Sequence, residues 1–536
     1  MIRNCILFLS IVATSLVIAG TVTRGGYLHV DDHHRYGHSQ DLISAFQGKT
    51  VRGHQYAPLW ELMLGVFTEI AFPHLQDPFW IRTTVTFAFF PIGLFLLYWT
   101  SVATGLQRWH ALLATVAVFG IPRLGGHALY NVKDFPVALT IPIVSAAIWH
   151  LFTRLSKANK NMAVLYLATI GVLAVLPFML RAPLFQTFLI AIGALTLIAL
   201  SDKTKGVACV EKIALIVLPL ATAFATIYYL SPTMWNASVL ETGKGISDIF
   251  TLFSNYPTPG NTRFMGMNFV NTNVPWWYPF AWLLVSINPV VQFTATIGFL
   301  LLLFMGSRGY QKTTLKFFSR WKIHFSFVHW IWMNVIASWF GIICIGPNLY
   351  DEDRHFLFLY PITIYFLILG FRNCSRQILR YGLITIVFTV SCFSYMQWGR
   401  YSYVYKSPII GNTHASQFQG DYWGLCIAKA VNALKDRVPP NTQVNVQLEH
   451  IIALNQYNRL RNSAIVQDVS FGPYIIRAFG DSRDKRPLAV ISTNRDGSHM
   501  QTVAHIEQGK AKLLWFDTMP PGKIPTDYAC LLAIFE

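Results

Sequence analysis

Three short stretches of the sequence gather carboxylates, imidazoles and cations. The first, Asp31-Asp32-His33-His34-Arg35-Tyr36, offers an acid able to take the proton from an attacking hydroxyl or amine. It equally suits a solvated loop with a charged helix cap. The second runs from His127 through Tyr130, Asn131, Lys133 and Asp134 to Pro136. Pro136 belongs in a first helical turn, and Asp134 is placed to cap that helix. Capping explains neither Lys133 nor His127, and a cation beside a helix N-terminus suits a phosphate. The third, Tyr350-Asp351-Glu352-Asp353-Arg354-His355-Phe356, sets three acids before a helix, as its dipole favours. Arg354 gains nothing from that dipole, but a guanidinium can hold a phosphate through two parallel hydrogen bonds.

The elements that must position these groups follow from composition. Of 536 residues, 53% are hydrophobic and 12% charged, against about 25% charged in soluble domains. Apolar runs near the ~20 residues that cross a bilayer core predict about eleven transmembrane helices. They lie at 5–22, 80–100, 109–122, 135–152, 162–180, 184–200, 213–230, 287–305, 326–346, 356–371 and 381–398. The first follows Arg3 and meets no clear small-residue cleavage site, so it reads as a retained span.

The net charge of +17 does not point to nucleic acid, because much of it sits in short loops between spans. These loops hold Arg154, Lys157 and Lys160; Lys203, Lys205 and Lys212; Arg308, Lys312, Lys316, Arg320 and Lys322; and Arg372, Arg376 and Arg380. With a cytoplasmic N-terminus every cluster falls inside, as the positive-inside rule requires. Residues 1–398 then form the membrane domain, with outward loops 23–79, 123–134, 231–286 and 347–355. All three reactive stretches face outward.

Within the first loop, Tyr56 to Phe67 has the pattern of an amphipathic helix lying in the interface. Pro275-Trp276-Trp277-Tyr278-Pro279-Phe280 reads as an aromatic anchor in the headgroup layer. Residues 399–536 read as a small outward α/β domain, with a helix at 424–435 and strands at 444–448, 464–469, 488–492 and 529–535. The cysteines show no metal spacing, and Cys426 and Cys530 fall in that tail, where a disulfide can form.

Read in order, these motifs resemble glycosyltransferase family 39, the group of dolichyl-phosphate-mannose protein mannosyltransferases and related bacterial enzymes. The resemblance is carried by the acidic pair after the first span, Tyr56-x-Pro58-Leu59 before an amphipathic helix, and Asn131-x-Lys133-Asp134-x-Pro136 opening the fourth span. Tyr350-Asp351-x-x-Arg354-His355-Phe356-Leu357-Phe358 and Gly420-Asp421-Tyr422-Trp423-Gly424-Leu425 resemble its bacterial branch. What it implies is a polytopic all-α membrane protein of GT-C type. Such an enzyme moves a sugar from a polyprenyl-phosphate donor to a protein, lipid or glycan acceptor, with inversion. The expected setting is a bacterial inner membrane, with the active site on the periplasmic side and membrane lipids as further partners.

By position, the general base falls on Asp31, with Asp32 as neighbour or substitute, since Asp-Asp stands where Asp-Glu is common. Val132 likewise stands where many relatives have Pro. Asp134 is expected to position the acceptor or a metal near the donor phosphate. The cofactor this admits is a divalent ion held by Asp31 and Asp134. Charge places donor-phosphate contacts at Lys133, Arg354 and His355, and His34, Tyr56, His127 and Tyr130 are the substrate contacts. The alternative is a transporter or flippase of lipid-linked sugars, which places ionisable groups at the bilayer midplane and breaks its helices there. Here the clusters lie at span ends, and Arg181-Ala182-Pro183 reads as a turn between spans.

Overall fold

The computed structural model describes residues 30–47, 58–74, 78–155, 157–181, 184–200, 209–231, 261–270, 274–305, 315–318, 323–345, 352–374, 376–410, 417–418, 430, 433, 437, 443–446, 469–471, 474–478, 489–493, 504–518 and 528–535. The first predicted span, most of the predicted tail helix and Cys426 of the expected disulfide lie outside these residues.

Among the described residues, five helices are long and apolar enough to cross a membrane, or up to seven if each of two bent pairs counts as one span. This is a multi-pass membrane protein. The long helices are α3 (Pro78–Ala103), α6 (Phe135–Leu155), α7 (Lys160–Leu180), α9 (Cys209–Leu230) and α14 (Gln377–Trp398). The bent pairs are α4 (Arg108–Phe119) with α5 (Pro122–Tyr130), meeting at 64°, and α10 (Tyr278–Ser286) with α11 (Pro289–Met305), meeting at 119°. Three shorter apolar helices are also described: α8 (Gln186–Ala199), α12 (Phe327–Ile345) and α13 (Leu359–Ile368). Helices dominate because, in hydrocarbon, every backbone group must find its partner within the chain.

Two segments expected to be outward loops differ from the sequence reading. The stretch 123–134 is no simple link, since most of it is α5, wholly buried against the bundle. Pro122 supplies its first turn, and Gly125 and Gly126 let Tyr395 and the backbone of Ser402–Tyr403 pack directly on it. The aromatic run at 275–280 is likewise not purely an anchor. Trp276 is exposed, but Tyr278 and Trp282 are fully buried, because Tyr278 opens α10, which turns into the core.

Before the bundle come α1 (Val30–Phe46) and α2 (Pro58–Gly65), the latter continuing as a π-helical turn at Val66–Ala71. A buried knot ties them to α3: Arg82 pairs with Glu61 at 2.9 Å and donates to Ser39 at 2.6 Å, and Ser39 donates to Glu61 at 3.0 Å. Burial of these charges is tolerable because each meets a partner and the hydroxyl fills a remaining hydrogen-bonding position.

Beyond the two short hairpins β1 (Asn261–Phe264)–β2 (Met267–Val270) and β3 (Leu315–Phe318)–β4 (Ile323–Phe325), the tail strands β5 (Gln443–Val446), β6 (Val469–Phe471), β7 (Tyr474–Ala478), β8 (Ala489–Thr493), β9 (Ala511–Thr518) and β10 (Tyr528–Phe535) form one sheet. Its order is β6-β7-β5-β8-β10-β9, with β5 parallel to β7 and β8 and the other pairs antiparallel. The predicted strand at 464–469 overlaps only the start of β6, and β7 and β9 were not anticipated.

Candidate active site

The bundle has two chemically distinct ends. At one, Ser101 meets Tyr365 at 2.7 Å, and His110 Nε2 lies 2.8 Å from the Ile368 carbonyl. The Arg380 guanidinium stacks 4.7 Å from the ring of Trp109 at that end. At the other end lie the start of α6, the end of α7, the 3-10 turn Arg354–Phe356 and the 3-10 turn Gly399–Val404.

Asn131 organises the entry to α6. Its Oδ1 accepts from the amides of Lys133, at 3.2 Å, and Asp134, at 2.8 Å. Its Nδ2 donates to His127 Nδ1 at 3.0 Å and to Asp134 Oδ2 at 3.1 Å. Asn131 thus closes an Asx turn over the two amides just ahead of α6. Asp134 Oδ1 forms a buried ion pair with Arg181.

Arg181 sits just beyond α7 in an extended conformation, its amide bonded to Pro177 O. Its Nη2 donates to His355 Nδ1 at 2.8 Å. On the other edge of that imidazole, Arg354 Nε lies 3.3 Å from Nε2. His127 and Tyr130 both set their rings edge-on to Tyr403, at centroid distances of 6.3 and 5.8 Å. Three segments distant in sequence therefore converge: 127–134, Arg181 and 354–355.

A second buried network supports the 354–355 turn. Arg123 pairs with Glu352 at 2.6 Å and with Asp353, donates from Nε to the Tyr405 carbonyl at 2.8 Å, and lies 4.5 Å from the Trp282 ring. Lys406 approaches Glu352 at 3.6 Å. Asp353 accepts from Tyr360 at 2.6 Å and Ser286 at 2.9 Å, while Tyr278 donates to the Glu352 carbonyl at 3.1 Å. Glu352 itself adopts φ 63°, turning the chain so that neighbouring residues face different networks. Burial lifts the Glu352 carboxyl to about 7 against the pull of Arg123 and Lys406, with Asp353 adding to the rise. Burial likewise lowers Lys406, against the pull of Glu352.

Of the residues singled out from sequence, His127, Tyr130, Lys133, Asp134, Arg354 and His355 are brought to one end of the bundle. The backbone of Asp31, Asp32 and His34 lies in the first turns of α1, but their side chains are outside the described residues, as is Tyr56. Arg181, taken for a turn residue, is a member of the cluster, and Arg123 and Lys406 were missed. The signal that could have found both arginines is their place in the sequence: single cations at span ends that the charge pattern assigns to the outward side, against the positive-inside trend. Of the two expected metal ligands, Asp134 is engaged by Arg181 and Asn131, and the side chain of Asp31 lies outside the described residues. Among the described residues no group of three or more His, Cys, Asp or Glu could hold an ion.

No family model and no curated protein matches the chain. Among solved structures it is similar to ArnT from Cupriavidus metallidurans, determined bound to undecaprenyl phosphate. The two share 11% identity and a TM-score of 0.47, over 98% of this chain and 97% of that one. The chemistry of the site rests on its own side chains.

Proposed function

We propose that this protein is a GT-C-type membrane glycosyltransferase that moves a sugar from a polyprenyl-phosphate donor to a protein, lipid or glycan acceptor on the periplasmic face. The supporting observation is the chain Asp134–Arg181–His355–Arg354, which joins the Asn131-x-Lys133-Asp134 and Arg354-His355 motifs at one bundle end. The donor's lipid holds its phosphate at the bilayer surface. As the bond from anomeric carbon to phosphate oxygen breaks, its electron pair stays with the phosphate, and Arg181, Arg354 and Lys133 offset the growing charge. Asp31, or Asp32 beside it, takes the proton of the acceptor hydroxyl or amine, which attacks from the opposite side and inverts the carbon. Asp134 and the Tyr130–Tyr403–His127 group orient the acceptor. No step is assigned to a metal.

The test is transfer of labelled sugar from polyprenyl-phosphate donors in membranes. Loss of the base should cut transfer by about 100-fold or more, so either Asp31→Asn or Asp32→Asn should do so, and Asp134→Asn should lower it markedly. Undiminished transfer in all three variants would remove the assignment.

A further inference from the structure

We propose that Arg123 is a positioning residue of the transferase site: its guanidinium holds the segment bearing Arg354 and His355 in register with the helix bearing His127 and Tyr130, and so aligns donor with acceptor. This rests on the function proposed above and adds what keeps the two halves of its site together.

One guanidinium joins four segments. Arg123 stands in the first turn of α5, and its Nη2 pairs with Glu352 at 2.6 Å and its Nη1 with Asp353. Its Nε donates to the Tyr405 carbonyl at 2.8 Å, and its face lies 4.5 Å from the Trp282 ring of α10. Three of the four segments carry residues of the site. His127 and Tyr130 follow Arg123 by four and seven residues, so the three share one face of α5. Asp353 directly precedes Arg354, and Tyr403, against which His127 and Tyr130 set their rings, stands two residues before Tyr405. The Asp353 side chain does not cap the turn that it opens. It spends Oδ1 on Arg123 and Oδ2 on Tyr360 and Ser286, which ties the turn to other elements.

These contacts close a ring. From Arg123 it runs through Asp353, Arg354, His355, Arg181, Asp134, Asn131 and His127, and one turn of α5 returns it to Arg123. Arg123 and Asp353 touch neither substrate in the proposed reaction, yet their pair is the link that closes the ring. Stability alone does not call for such a link, because apolar residues of the same volume often pack as well as a buried ion pair or better. What the charges supply is one geometry, since a planar fork meets both carboxylates at only one spacing and angle. A displacement of about 1 Å can cost about 100-fold in rate, so a residue that fixes the spacing acts on the reaction without touching it.

With Arg123 replaced, each half keeps its own contacts, but the acceptor no longer lies in line with the anomeric carbon. Water then takes its place: its oxygen forms the new bond to that carbon, its proton passes to the base, and the phosphate departs with the electron pair. The experiment supplies polyprenyl-phosphate donors carrying labelled sugar to membranes that hold the full-length protein. Label released as free sugar is counted against label joined to acceptor, after subtraction of membranes lacking the protein. That ratio does not depend on how much of the protein is folded. It should rise at least about tenfold in Arg123→Gln, within what a misplaced reactant costs. Arg123→Lys should fall between it and wild type, because an ammonium keeps the charge without the fork. A wild-type ratio in Arg123→Gln, whatever the total label, would overturn the positioning role and leave the enzyme assignment standing. If wild type neither transfers nor releases sugar, both fall. Should Arg123→Gln fail to fold by gel filtration, Arg123→Gln/Glu352→Gln, which removes one cation and one carboxylate together, decides by the same ratio.

Discussion

A carboxyl buried between Arg123 and Lys406 should be strongly acidic, yet burial and Asp353 together hold Glu352 at about 7. Its folded value lies above its unfolded one, so the contribution it makes to stability is fully present below about pH 4.5 and is lost as pH rises through 7. Wild type should therefore lose thermal stability relative to Glu352→Gln between pH 5 and 8, and parallel curves in detergent would refute this. A contrasting case is the buried pair of Arg82 with Glu61, at 2.9 Å. Arg82→Met should cost about 3–5 kcal/mol by stranding a buried carboxylate, and adding Glu61→Leu should recover most of it. The pair is thus a fastener whose two halves matter less than their match, as a double-mutant unfolding cycle would show.

Among the elements, α5 depends on having no side chain at Gly126, where a Cβ would collide with the backbone of Tyr403 and Ser402. Backbone cannot rotate aside, so Gly126→Ala should cost about 1–3 kcal/mol by overpacking. It should also pull Tyr403 off the rings of His127 and Tyr130. Gly193, in α8, meets nothing within 4 Å, and its replacement by Ala should be neutral or slightly stabilising. Comparing the two melting temperatures separates packing from propensity. The same helix shows why parts of the fold were hidden in the sequence. Hydropathy runs through the break at Gly120–Ile121, so a window sees one span where the chain turns by 64°. Pro122 was the local sign of the turn. At α10 the sign was Asn288-Pro289, and the aromatic residues before it suited a headgroup anchor as well as they suit a core.

At the scale of the whole molecule, every predicted span after the first coincides with an apolar helix, because length and composition are what a bilayer selects. The gathering of 127–134 with 354–355 at one end was also legible, since alternating crossings fix which ends are neighbours. Arg181 was not, because nothing local distinguishes a turn arginine from one aimed into a site. Helix direction places Met265, between β1 (Asn261–Phe264) and β2 (Met267–Val270), beside the site end, and Lys157 at the other. In a background whose native cysteines are blocked, an impermeant maleimide applied from outside should label Met265→Cys and spare Lys157→Cys. The reverse pattern would invert the protein in its membrane.

Asn131 has a quieter effect on the proton inventory of this end. Because its amide nitrogen donates to His127 Nδ1, that ring atom must carry a lone pair, which assigns the imidazole hydrogen to Nε2. A carboxylate at the same position would reverse the preference, so the difference between Asn and Asp at residue 131 decides which edge of the neighbouring histidine is acidic.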